Sequence, residues 1–269
     1  MNWSDWVLAH EPQLRLGAFL GLFGLVAVWE WMRPCRARLF SRLIRWSNHL
    51  LLVVLNSVLL RLLFPAAAVG MAAWVQQQGW GLFNQVSLSI WLTVSVSVVL
   101  LDLAIYWQHR VFHQVPILWR LHRVHHADPD FDLTTALRFH PIEILLSMLI
   151  KLAVIVLLGP PLVAVLLFEV ILNGMAMFNH ANASLPQWLE WPVRRLLVTP
   201  DMHRIHHSTL SAEMHSNFGF NLSIWDRLFS SYTARPLQPQ QTMLIGLPEP
   251  RESKQVSWIS GILLLPFRR

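Results

Sequence analysis

Apolar residues run along this chain in long stretches, with polar residues gathered between them. Leu14 to Met32 carries only Arg15 before its last turn, Leu50 to Val75 only Arg61, and Ser87 to Trp107 only Asp102. Each reaches or approaches the roughly 20 residues that a helix needs to cross a hydrocarbon core of about 30 Å. The pattern therefore predicts membrane-spanning helices over 14–32, 50–75 and 87–107. A fourth stretch, Ile142 to Phe178, is too long for one helix and is broken by Gly159-Pro160-Pro161. Because proline lacks the backbone donor a helix interior needs, this stretch predicts a hairpin over 142–158 and 162–178. The expected fold class is all-α, an integral membrane helical bundle. A shorter apolar segment, Trp258 to Phe267, is expected on or against the membrane.

Composition agrees: 54% of residues are hydrophobic and 13% charged, about half the usual charged share of a soluble domain. The first apolar run is too long for the core of a cleaved leader and is preceded by acidic as well as basic residues, so it reads as a retained anchor. A single cysteine, Cys35, excludes an intramolecular disulfide and any cysteine-built metal site. Arg33, Arg36, Arg38, Arg42 and Arg45 follow the first run, whereas 76–86 carries no charge. The positive-inside rule then puts the arginine segment in the cytoplasm. Counting spans onward from there brings every histidine group to that same face, as a cytoplasmic helical cap on the bundle. The net charge of +6 is accounted for by arginines facing anionic headgroups. No nucleic-acid reader motif is present.

The candidate chemistry lies in the histidines. Leu121-His122-Arg123-Val124-His125-His126 recurs as Met202-His203-Arg204-Ile205-His206-His207, and His109 and His113 lie one helical turn apart upstream. Positions i, i+3 and i+4 share a helix face, so each cluster is expected to converge on one side. The interleaved Leu, Val and Ile exclude a low-complexity metal-scavenging tract. Neutral imidazole is a ligand for iron, zinc, copper or nickel. His140, in Arg138-Phe139-His140-Pro141, and His180, in Phe178-Asn179-His180-Ala181-Asn182, bring the candidates to ten. Two tetrahedral zinc ions use at most eight ligands, whereas two metals with about five imidazoles each use all ten, so the count leans towards iron.

Metal-bound imidazoles usually donate their second ring N–H to an oxygen, and Asp128, Asp130, Asp132 and Asp201 are placed to receive it. Asp102 and Glu169 fall inside apolar runs and should face the bundle interior with partners, Lys151 being a candidate for Glu169. Two rival readings are a zinc-dependent membrane hydrolase with Glu169 or Glu213 as base, and a metal transporter or bis-imidazole haem protein. Against them stand the lack of an H-E-x-x-H pattern and the clustering of the histidines at one membrane face.

In combination, His109-x3-His113, His122-x2-His125-His126, Arg138-Phe139-His140-Pro141, Asn179-His180, His203-x2-His206-His207, Asn217-Phe218-Gly219 and Trp225-Asp226-Arg227-Leu228-Phe229 resemble the fatty acid hydroxylase superfamily. The similarity is to its bacterial sterol desaturase-like branch and covers about 102–232; Phe229-Ser230-Ser231-Tyr232 departs from the Phe-Gly-Thr-Tyr usual there. The resemblance implies a membrane-bound oxygenase in which the ten histidines hold two iron ions. Its co-substrate would be O2, and its electrons would come from an external ferredoxin, cytochrome b5-like protein or reductase. It would hydroxylate or desaturate an aliphatic C–H bond of a lipid or sterol-like substrate at the bacterial inner membrane, with the site facing the cytoplasm.

Overall fold

The computed structural model describes residues 3–268. Among these residues the named elements are all helical. They are α1 (Trp3–Met32), α2 (Arg42–Leu63), α3 (Ala67–Gln78), α4 (Ile90–Gln114), α5 (Pro116–His126), α6 (Pro141–Leu158), α7 (Leu162–Asn179), α8 (Gln187–Leu196) and α9 (Pro200–His206), with shorter turns after them. Five stretches are long and apolar enough to cross a membrane: Trp6–Met32, Arg42–Asn84, Ile90–Gln114, Pro141–Leu158 and Leu162–Asn179. Leu25, Leu62, Trp91 and Leu157 are each 70% or more exposed. Side chains this apolar, bare over much of the bundle, mark a lipid-facing surface. The chain is a multi-pass membrane protein.

Local chemistry sets the helix ends. Ser89 Oγ accepts the Leu92 amide at the start of α4. Pro116, Pro141 and Pro200 occupy the first turns of α5, α6 and α9, where a missing N–H costs nothing. Gly159 ends α6 with φ +62°, and Gly81 packs so closely on it that a side chain on either would collide with backbone. The helix expected over 50–75 is instead two helices. Proline at 65 disfavours helical backbone at Phe64, so α2 stops at Leu63 and α3 starts at Ala67.

The C-terminal ends of α1, α4 and α7 and the N-terminal ends of α2 and α6 meet the cap formed by α5, α8, α9 and the connecting loops. Two buried charges pin the loop after α5 to the bundle. Arg45 of α2 is fully buried and donates to the carboxylates of Asp128 and Asp132 and to the Asp130 carbonyl. Glu30 of α1 accepts the amides of Leu133 and Asn182. Arg36 donates to the carbonyls of Gln240 and Met243. With Arg42 paired to Glu30 at 3.8 Å, three of the five arginines used to orient the chain are committed to internal contacts. The C-terminal segment packs on the cap, with Ile262 and Leu265 buried beside Leu52 and Val124.

Candidate metal centre

Nine of the ten candidate imidazoles meet in two adjoining groups, His109, His113, His122, His126 and His206 in one and His125, His180, His203 and His207 in the other. Every member is buried. Each histidine echo divides between the groups rather than converging on one. In α5 the i, i+4 pair His122 and His126 joins the first group while His125 turns to the second. Around α9 the i, i+4 pair His203 and His207 joins the second while His206 crosses to the first. The α4 pair His109 and His113 completes the first group, and His180, at the end of α7, the second. The groups touch where the rings of His126 and His207 stack 4.3 Å apart.

Ring nitrogens are divided between anchoring and converging. Nδ1 of His109, His206 and His180 donates to the carbonyls of Phe218, Ser216 and Ala176 at 2.8, 2.7 and 2.7 Å. Nδ1 of His122 donates to Glu143 Oε1 at 2.6 Å. These bonds fix the tautomer and leave Nε2 with a lone pair. Nε2 of His109, His122 and His206 and both ring nitrogens of His113, His126 and His207 are buried without a hydrogen-bond partner. Orphaned buried nitrogens are costly and call for a ligand. In the second group, Nε2 of His180 lies 3.0 Å from Nε2 of both His125 and His203. Two nitrogens bound at right angles to one ion at about 2.1 Å lie about 3.0 Å apart, so this spacing fits a shared metal.

Electrostatics point the same way. Burial, and then the neighbouring imidazoles, hold His125, His126, His203, His206 and His207 well below the usual histidine range. For His180 burial dominates and brings the value to about 3. These rings are neutral at physiological pH, as metal ligands must be. The donor set, uncharged imidazoles with no carboxylate among them, fits an intermediate transition metal.

His140 is not brought to either group. It is the N-cap of α6: its Nδ1 accepts the Ile142 amide, and Nε2 faces the Leu263 carbonyl. In the same motif Phe139 stacks on His125 at 4.5 Å and Arg138 is buried against the carbonyls of Val124 and Val256.

The four aspartates are also placed otherwise than expected, since none bonds an imidazole. Asp128 and Asp132 serve Arg45, Asp130 accepts the amides of Leu39 and Phe40, and Asp201 pairs with Ser184 and Arg204. For Asp128 and Asp132 the physical reason is Arg45 itself, since a buried guanidinium requires carboxylates nearby. The imidazoles are oriented instead by backbone carbonyls and by Glu143, which pattern reasoning passed over. Its signal was a lone carboxylate in the first turn of an apolar helix.

The motif residues after α9 act through one loop. Asp226 accepts the amides of Phe218 and Gly219, each at 2.7 Å, and the Ser231 hydroxyl. Asn217, at φ +52°, accepts the Thr233 amide. The loop so held presents the Ser216 and Phe218 carbonyls to His206 and His109. From within α4, Asp102 accepts the amides of Asn221 and Leu222 and the Trp225 indole N–H.

A cavity of about 500 Å³ descends from His109 and His122 between the long helices, lined by Phe19, Val53, Phe112 and Leu172 among others. The architecture is a histidine cap over a greasy, membrane-embedded pocket.

The fatty acid hydroxylase family matches residues 94–231, which contain all nine grouped histidines. Ornithine lipid hydroxylase OlsE of Rhizobium tropici is 31% identical over 149 residues, 55% of this chain and 44% of that protein. Alkylglycerol monooxygenase is 33% identical over 150 residues in Xenopus tropicalis and 30% over 149 in Homo sapiens, covering 55% of this chain and 31% and 32% of those proteins. The aligned part is thus less than half the length of each of these relatives. No solved structure matches the chain. With the family spanning the α4 pair, both echoes, His180 and the Asp226 loop, the chain belongs to the fatty acid hydroxylase family.

Proposed function

We propose that the protein is a membrane-bound di-iron oxygenase that hydroxylates an aliphatic C–H bond of a lipid. The observation that carries this reading is the pairing of five and four buried, neutral imidazoles in touching groups. Five donors exceed the four of a tetrahedral zinc site, which favours iron in the first group. The relatives named for ornithine lipid and alkylglycerol substrates support a lipid as the acceptor of oxygen. The hydrolase reading is less favoured: Glu169 is held by Lys151 and Arg15, and neither it nor Glu213 is among the grouped residues.

His109, His113, His122, His126 and His206 would hold one ion and His125, His180, His203 and His207 the other. Bound iron, with O2 and electrons from a separate ferredoxin, cytochrome or reductase, supplies the oxidising chemistry. The chain's own contribution is orientation and exclusion of water. Glu143 and the carbonyls of Phe218, Ser216 and Ala176 hold protons at Nδ1 so that Nε2 points inward. Phe112, Phe139 and Phe220 line the apolar cavity beneath. The substrate would enter from the bilayer, and the cap would face the cytoplasm of a bacterial inner membrane.

The test is isotope incorporation by the purified protein with a reductase, a ferredoxin and extracted membrane lipids. The reading predicts one atom from labelled O2 in a lipid hydroxyl, dependent on reductant. Lipid cleavage without O2 consumption would overturn it in favour of hydrolysis.

A further inference from the structure

The cavity that reaches His109 and His122 also meets three charged side chains that the metal chemistry does not use. Lys151 Nζ lies 2.6 Å from Glu169 Oε1, and Arg15 Nη1 lies 2.8 Å from Glu169 Oε2. All three line the cavity. Lys151 follows Glu143 by eight residues on α6, about 12 Å at 1.5 Å per residue. Ser147 falls midway, so α6 presents a polar stripe at i, i+4 and i+8 that leads from His122's partner to the ammonium.

Ionised groups at this depth are expensive and mark functional sites more often than scaffolding. Glu169 serves both Lys151 and Arg15, and Arg15 also donates to Glu11, so two cations meet two carboxylates and what Lys151 offers is spare donors rather than surplus charge. Lys151 has three donors, and one of them is used by Glu169 among the described residues. Beside it Gln108 donates to Ser147 while its own Oε1 is buried without a partner. A pure hydrocarbon in this space leaves the spare Lys151 donors unmet, whereas an oxygen-bearing end accepts from them and a hydroxyl also donates to Gln108 Oε1. Leu16, Phe19, Val53 and Leu60 supply the apolar lining that an alkyl chain needs.

We propose that Lys151, positioned by Glu169 and Arg15, binds the oxygen-bearing end of a single-chain amphiphile, a carboxylate or a hydroxyl. The carbon presented to the histidine cap is then set by its distance from that polar end, about 12 Å along the chain. The volume of about 500 Å³ accommodates one such chain. The oxidation of that carbon rests on the oxygenase reading; the binding does not.

The experiment is displacement of tritiated palmitate from the full-length, detergent-purified protein by unlabelled palmitate, hexadecanol and hexadecane. The acid and the alcohol are expected to compete at least about tenfold better than the hydrocarbon, the scale of one charge-assisted hydrogen bond. Lys151→Met should erase that preference and leave hexadecane binding unchanged, whereas Lys151→Arg should keep it. Because Lys151→Met strips Glu169 of a partner, the Lys151→Met/Glu169→Met double variant, which removes both charges, repeats the measurement. No saturable palmitate binding, equal competition by all three probes, or a preference that survives loss of Lys151 would overturn the proposal. None of these readouts requires metal or turnover, so this binding preference and the oxygenase reading can fail separately.

Discussion

Glu143 Oε1 lies 2.6 Å from Nδ1 of His122, joining the first turn of a membrane helix to the histidine cap. The carboxylate holds the ring proton on the far side from the first histidine group, and it ties the cavity wall to the ligand geometry. Removing it by Glu143→Leu should weaken metal retention about 10- to 100-fold, the usual effect of losing such a partner. Glu143→Gln still offers an accepting oxygen and should stay near wild type. Competition with a chromophoric chelator measures both.

His140→Ala should leave the metal content unchanged. Its loss removes an N-cap, which costs about 1 kcal/mol of stability, visible as a small fall in Tm of the detergent-solubilised protein. A large loss of metal in this variant would return His140 to the ligand set.

Gly219 abuts Asp226. A β-carbon there would come within 2.6 Å of Asp226 Oδ2 and 2.9 Å of the Leu222 carbonyl. Gly219→Ala should therefore shift the loop that presents the Phe218 carbonyl to His109 and lower occupancy of the first group selectively. Metal per chain should fall towards half of the wild-type value.

Arg45 is fully buried with two carboxylates. Burial pushes Asp128 and Asp132 up, but the charge and hydrogen bonds of Arg45, joined by His49 and Arg138 at Asp128 and by Thr134 at Asp132, hold both below the usual carboxylate range. A folded-state value below the unfolded one, about 3.9, gives stability that is present above that pH and lost as pH falls further. Arg45→Met leaves the two carboxylates buried and unpaired and should cost about 3–5 kcal/mol. It should also remove this share of the acid transition. Thermal melts between about pH 3 and pH 7 measure both effects.

How much of this was legible in the sequence varies from residue to residue. The apolar runs announced the long helices because length and hydropathy are local properties. The break at 64–66 was hidden by its apolar neighbours, although the proline at 65 carried the signal. The histidine echoes were legible because their members lie within one turn. Their division between two groups was not, since it depends on how α5 and α9 face each other across the cap. Proximity in sequence misdirected the reading of Asp128, Asp130, Asp132 and Asp201, whose partners come from α2, the loop before it and α9. His140 showed its neighbour Pro141, a helix-start signal, yet its residue type drew it into the ligand count. The Glu169–Lys151 pair was legible because a carboxylate inside an apolar run needs a partner, whereas Glu143 and Arg15 acquire meaning only when α1, α5, α6 and α7 assemble.

The central claim is a site for two metal ions built from nine histidines. Elemental mass spectrometry of the purified protein, with His206→Ala and His207→Ala as partners from the two groups, tests it most directly. The account predicts about two irons per chain in the wild type, with each variant losing metal, since each removes a ligand to a different ion. A wild type with no bound transition metal, or variants that retain the full complement, would contradict it.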